Sequence, residues 1–262
     1  MKPWKYLFII LFFSITIIAC NSSKKAEVIG INESPQTTKP IDDSDQVSAE
    51  QYRKDCIEAS YPKFISGSTE DQRNKWNKLI QTDFDKILQI YSFNPFPEIL
   101  PGPTPVVPTI LQIIYDIKSN DNHVISIFYT AAFNSPYSAY PTDLVYTTNI
   151  DKEEDKRLKL SNVVNINLDF VKDFRKWDYI PYEAGYETLD RAIRDYMSSM
   201  TDQDLLLGFQ SADQIGSENL WGIFSYLTPN RLGISMSVPN YLGDHIEFER
   251  EYSDIMQYIK SY

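Results

Sequence analysis

The alternation of hydrophobic and polar positions is sharpest between Thr109 and Ile150. In a first run, Thr109–Ile117, the residues Leu111, Ile113, Tyr115 and Ile117 fall at alternate positions. A second run, His123–Phe133, sets Ile125, Ile127, Tyr129, Ala131 and Phe133 on one face, with Ser126 and Thr130 on the other. A third, Thr142–Ile150, repeats the spacing with Leu144, Tyr146 and Ile150. Period-two spacing in β-branched and aromatic residues predicts a half-buried antiparallel sheet. Ser119-Asn120-Asp121-Asn122 supplies residues that tolerate turn geometry between the first two strands.

Ahead of this meander the period changes to three and four. Trp76, Leu79, Ile80, Phe84, Ile87, Leu88 and Tyr91 make one apolar stripe, which predicts a helix to about Tyr91. Thr69 and Gln72 form a capping box at its start, and Glu70 and Asp71 sit where the helix dipole favours anions. Asn94-Pro95-Phe96-Pro97 ends the helix, and Pro101, Pro103, Pro105 and Pro108 make an extended crossing to the sheet. One further strand is expected within Tyr52–Ser66.

After the meander, Asp151–Arg157 reads as a charged, solvated hairpin tip. It has no glycine for a calcium loop and interleaves bases with its acids. Leu158-Lys159-Leu160 returns as a short strand. Asn165–Met200 is helical in tendency and broken at Ile180-Pro181, and Thr201 caps another short helix. Trp221–Leu227, a turn at Thr228–Arg231, and the alternations Leu232, Ile234, Met236, Val238 and Ile246, Phe248, Tyr252 predict a second sheet unit. Glu247, Glu249 and Glu251 lie opposite the last of these, and Ser253 would cap a final helix. The expected fold class is α+β: antiparallel sheets packed by several helices, in one compact domain over 51–262 with halves at about 51–150 and 151–262.

The N-terminus follows a different rule. Lys2 and Lys5 precede an almost wholly apolar stretch from Leu7 to Ala19. As a helix it would be about 20 Å long, short of the roughly 30 Å of a bilayer core but suited to a signal peptide over 1–19. Ile17-Ile18-Ala19-Cys20 resembles the lipobox of bacterial lipoproteins. That resemblance implies a lipidated Cys20, a membrane anchor and a place in the cell envelope. With no aspartate after the cysteine, it further implies the outer membrane where the host has one. Ser, Thr, Pro, Asp, Asn and Lys dominate 20–50, which reads as a flexible tether. The other cysteine, Cys56, then has no partner in the chain and is expected to be buried and inert.

Charge narrows the partners. A formal net charge of −11 and the lack of a basic stripe argue against nucleic acid and would steer a basic protein inward. Catalytic signatures are missing: there is no H-E-x-x-H, no G-x-S-x-G and no paired Cys/His cluster. His123 and His245 are the only candidate neutral-pH bases, and each reads as a surface residue. No metal or cofactor site is expected.

The order of parts is similar to the extracytoplasmic domain of RsiV-type anti-sigma factors, which also precedes the catalytic domain of PdaC-type peptidoglycan deacetylases. The likeness rests on Tyr61-Pro62 with Asn77, Val124–Phe128, Ser138–Pro141, Lys156–Asn162, and Phe224–Leu227 through Leu232–Val238 to Gly243. The chain departs from the family pattern in three places: Tyr140 replaces a frequent histidine, Asn149 and Asn162 replace aspartates, and the Pro239–Gly243 loop is shortened. The resemblance implies a non-catalytic binding module for a lysozyme or for cell-wall glycan (peptidoglycan). Tyr137, Tyr140 and Tyr241 would be its anchors, and Glu247, Glu249 and Glu251 a charge stripe. An envelope hydrolase or an assembly scaffold is the alternative.

Overall fold

The computed structural model describes residues 45–54, 57–92, 110–134, 139–181 and 189–260, all within one compact unit. The expected signal peptide, Cys20, most of the tether, Cys56, the proline-rich crossing and Tyr137 lie outside the described residues.

The fold begins inside the stretch expected to be tether. Strand β1 (Gln46–Lys54) pairs antiparallel with β2 (Ile57–Ser66), so a hairpin stands where one strand was expected. β1 lies at the sheet edge and only half-buries Val47 and Tyr52 against the core, which is why hydrophobic spacing did not reveal it. Helix α1 (Glu70–Ser92) starts at the expected cap: Thr69 Oγ1 accepts from the Gln72 amide, and Gln72 Oε1 accepts from the Thr69 amide, each at 3.3 Å. Trp76, Ile80, Phe84 and Ile87 are buried beneath it.

The meander follows as β3 (Ile110–Asn120), β4 (Val124–Asn134) and β5 (Thr142–Asp151), with β6 (Lys156–Leu158) beside it. The six-stranded sheet runs in the order β1-β2-β3-β4-β5-β6. It is mixed rather than wholly antiparallel: β2 and β3, separated in sequence by α1, pair in parallel. Four short or medium helices come next or interleave: α2 (Leu160–Val163), α3 (Leu168–Phe174), α4 (Leu189–Ser199) and α5 (Asp202–Gln210). The stretch expected to be helical also contains a strand, β7 (Asp178–Ile180). With β8 (Phe224–Leu227), β9 (Arg231–Ser237) and β10 (His245–Glu251) it forms a four-stranded antiparallel sheet, ordered β7-β10-β9-β8. The expected final helix is a 3₁₀ turn over Tyr252–Asp254, followed by a bridge from Ile259 back to Val164.

The two sheets stack. One core lies between α1 and the first sheet, and a second joins α2 to α5 with the outer face of the second sheet. The meander is therefore not half-buried: β4 and β5 are covered on both faces. The side read as polar is a seam against the second sheet. Ser126 Oγ donates to Asn149 Oδ1 (2.7 Å) and accepts from the Leu227 amide (2.9 Å), while Asn149 Nδ2 donates to the Ser225 carbonyl (2.8 Å). Buried Asp213 receives the Leu160 amide together with the amide and hydroxyl of Ser225, and burial pushes its carboxyl up. These small polar residues are buried because each has partners across the seam.

Candidate functional site

At one end of the stacked sheets two connections meet: the end of the β4–β5 corner, Ala139–Pro141, and the β9–β10 loop, Val238–Asp244. The loop is a 3₁₀ turn over Asn240–Leu242, closed by Gly243 at φ 100° and Asp244 at φ 68°. That backbone aims the Asp244 carboxylate across the gap, where Oδ2 accepts from the Asp143 amide at 3.1 Å. Asn240 Nδ2 donates to the other oxygen at 3.2 Å. Tyr140 and Tyr241 each lie three residues from this link, and they are 66% and 71% exposed. Burial, with Tyr241 nearby, pushes the hydroxyl of Tyr196 on α4 up.

Below the corner lies a chain of polar side chains on the face of the second sheet turned to the first. The imidazole of His245 is 6% exposed, with Nε2 3.6 Å from Glu247 Oε1 and Nδ1 3.3 Å from the Asp143 carbonyl. The Tyr226 hydroxyl lies 3.0 Å from Glu247 Oε2 and 3.0 Å from Glu249 Oε1. One phenolic proton thus faces two carboxylates, and burial followed by those two charges drives the Tyr226 hydroxyl far up. Arg231 lies 3.5 Å from Glu249 and 3.1 Å from Glu251. The Tyr226 ring rests on Gly233, where a Cβ would stand 2.1 Å from Tyr226 Cζ.

The opposite end carries a cleft of about 290 Å³ lined by Asp121, His123, Asp151, Glu153, Thr228 and Tyr252, among others. His123 Nδ1 is 2.9 Å from Glu153 Oε1, both side chains well exposed. Burial would raise the Asp121 carboxyl, but the His123 and Val124 amides, the Ser119 hydroxyl and Lys152 hold it below its usual range. The adjacent hairpin tip is not the solvated loop its charges suggest. Asp155 accepts from Trp76 Nε1 at 2.8 Å and pairs with Lys75 at 3.0 Å. Lys152 is buried against Asp45 at 2.8 Å and Asn120 Oδ1 at 2.8 Å, and lies 5.3 Å from the Trp76 ring centre. Ser68 donates both its amide and its hydroxyl to Asp45, whose approach needs the missing side chain of Gly67. Among the described residues no group of three or more His, Cys, Asp or Glu is placed to hold a metal ion, and no helix is long and apolar enough to cross a membrane.

Of the residues singled out in the sequence, Tyr140 and Tyr241 come to one corner and both are open to solvent. Glu247, Glu249 and Glu251 are not an open stripe. The first two have side chains only 17% and 20% exposed, and all three are engaged by Tyr226, His245 or Arg231. His245 is covered, not a surface residue. Its place beneath the corner was not legible, because the pairing of Asp143 with Asp244 spans about a hundred residues of sequence. Asn149 and Asn162 hold structure: the seam in one case, the Lys159 amide at 2.8 Å in the other.

No protein-family model matches the chain, and no curated protein matches it in sequence. Among solved structures it is similar to a member of the DUF3298 family from Bacteroides fragilis, at 10% identity and a TM-score of 0.45, over 83% of this chain and 92% of that one. It is similar also to a DUF3298 family protein from Pseudomonas aeruginosa, at 10% identity and a TM-score of 0.45, over 82% and 93% of the two chains.

Proposed function

We propose that this chain is a lipid-anchored, non-catalytic binding module of the cell envelope, and that it captures a basic protein such as a lysozyme at the Tyr140–Tyr241 corner. The observation that carries the reading is the pair of exposed tyrosines on two connections joined by the Asp143–Asp244 hydrogen bond. Tyrosine presents a large, stiff, amphipathic surface and is over-represented among the residues that dominate binding energy. The net charge of −11 attracts a cationic partner and speeds its encounter. The glutamates nearby serve the fold beneath the corner, which leaves the tyrosines as the contact.

Calorimetric titration of the full chain in detergent micelles, with lysozyme and separately with muropeptides, tests this. Heat with lysozyme is expected, with affinity falling about 30-fold or more in Tyr140→Ala/Tyr241→Ala, the effect of losing an aromatic anchor. Heat with muropeptides alone would replace the protein partner by glycan, and silence with both overturns the binding reading.

A further inference from the structure

We infer that the first half of β5 is a docking edge: an extended segment of a basic protein partner lays its backbone against Val145 and sinks one apolar side chain into the groove beside it. Use of the edge by lysozyme rests on the function proposed above; the edge itself does not.

β6 covers β5 only from Asn149 to Asp151, so the first half of β5 has no strand neighbour on that side. Along an antiparallel strand the backbone groups of successive residues face opposite neighbours. Asp143 gives its amide to Asp244 Oδ2 at 3.1 Å, and the Thr147 carbonyl accepts from Arg157 Nη2 at 3.3 Å, both on the side away from β4. Val145 lies midway between them and shares their direction. Among the described residues its N–H and C=O have no partner on that side. A buried peptide group without a partner is costly, and an open strand edge is a template for another strand. Val145 is 4% exposed and lines a groove of about 230 Å³, whose apolar walls are Ile90, Leu144, Tyr146 and Phe224. That is less than the roughly 300–1,000 Å³ of a site for a whole small ligand, and it suits one side chain of a larger partner. The walls are braced: the Tyr146 ring meets Phe224 edge-on at 5.3 Å, and its hydroxyl lies 3.1 Å from that of Tyr91. Backbone pairing at an edge with a pocket for a side chain is the arrangement that takes an extended peptide.

The surroundings fix the partner's chemistry. Leu144 follows Asp143, whose bond to Asp244 ties the two tyrosine-bearing connections, so groove and corner adjoin. Asp143 and Asp244 stand at that end, and exposed Glu218 follows Ser217 at the rim. Lys86, one turn before Ile90, is held at 3.9 Å from Asp83. An apolar residue flanked by bases therefore matches the site.

The full chain in detergent micelles is titrated by NMR with two probes, lysozyme and a capped Lys-Leu-Lys tripeptide. Exchange of the Val145 amide is expected to slow about tenfold with each. Exchange of the Leu227 amide, bonded to Ser126 Oγ in the seam, should not change, which separates pairing at the edge from general stabilisation. A tripeptide methylated at the leucine nitrogen keeps the side chain but loses the donor, and should bind about tenfold more weakly. Ile90 is 38% exposed, so Ile90→Lys leaves the fold intact while setting a cation at the groove; it should weaken both probes about tenfold. Unchanged Val145 exchange with both probes, or equal binding of the methylated tripeptide, overturns the docking edge. Lysozyme heat that still depends on Tyr140 and Tyr241 would then leave the corner reading standing. Protection of Val145 by the tripeptide with no lysozyme binding supports the edge and removes the lysozyme reading.

Discussion

Lys152 carries its ammonium group into a site where the side chain is 7% exposed, and the fold supplies three oxygen acceptors: Asp45, Asn120 and the Asp121 carbonyl. Removing one member of a buried pair strands the other, so Lys152→Met should cost about 3 kcal/mol in urea unfolding at pH 7. Acid should act on the same pair. Burial works against the Asp45 anion, but the bonds from Lys152 and Ser68 outweigh it and hold the carboxyl below its ordinary 3.8. A depressed carboxyl stabilises fully above its unfolded pKa and loses that contribution as pH falls through the folded value. Wild-type stability is therefore expected to drop below about pH 4 more steeply than that of Lys152→Met, measured as urea midpoints at each pH. Gly233 is a packing position of another kind. Gly233→Ala drives a methyl into the Tyr226 ring and should cost about 1–3 kcal/mol, with the tyrosine's fluorescence reporting the shift.

At the scale of elements, sequence periodicity was most informative where an element lies between core and water. The stripe of α1 and its Thr69–Gln72 cap were legible because one face meets the core and the other meets water. Thr69→Ala should lower stability by about 1 kcal/mol, read from the thermal midpoint, since the Gln72 amide loses its acceptor. The meander strands were found from their period-two alternation, but the burial of their second face was not legible. Ser126 and Asn149 look like solvent-facing residues until a second sheet arrives to bond them. β1 failed the periodicity test because edge strands are held by backbone pairing with little buried side chain. The candidate corner was half legible: Tyr140 and Tyr241 stood out as aromatics in turns, while the link between their connections spans Asp143 to Asp244 and has no local signal.

For the whole molecule, the proposed anchor yields its own outcome. Metabolic labelling with palmitate should mark the wild-type chain and not Cys20→Ser, while the purified variant keeps its lysozyme heat in solution. Labelling that persists in the variant would place the lipid elsewhere or nowhere on this cysteine. The charge of the molecule adds a second outcome: if acidity steers the partner, the association rate should fall several-fold between low and physiological salt, with less change in dissociation.

Asp45 immediately precedes β1, so its grip on Lys152 stands at the start of the first hairpin. Tension arriving along the chain from that side meets the buried Asp45–Lys152 grip before it reaches the ladder between β1 and β2. Because Lys152 belongs to the far hairpin, with its own amide bonded to the His123 carbonyl at 2.8 Å, the pull is passed straight into the meander. Drawn by that end in an optical trap, the wild-type chain should therefore yield in one step, and Lys152→Met should first shed its edge strand at a lower force.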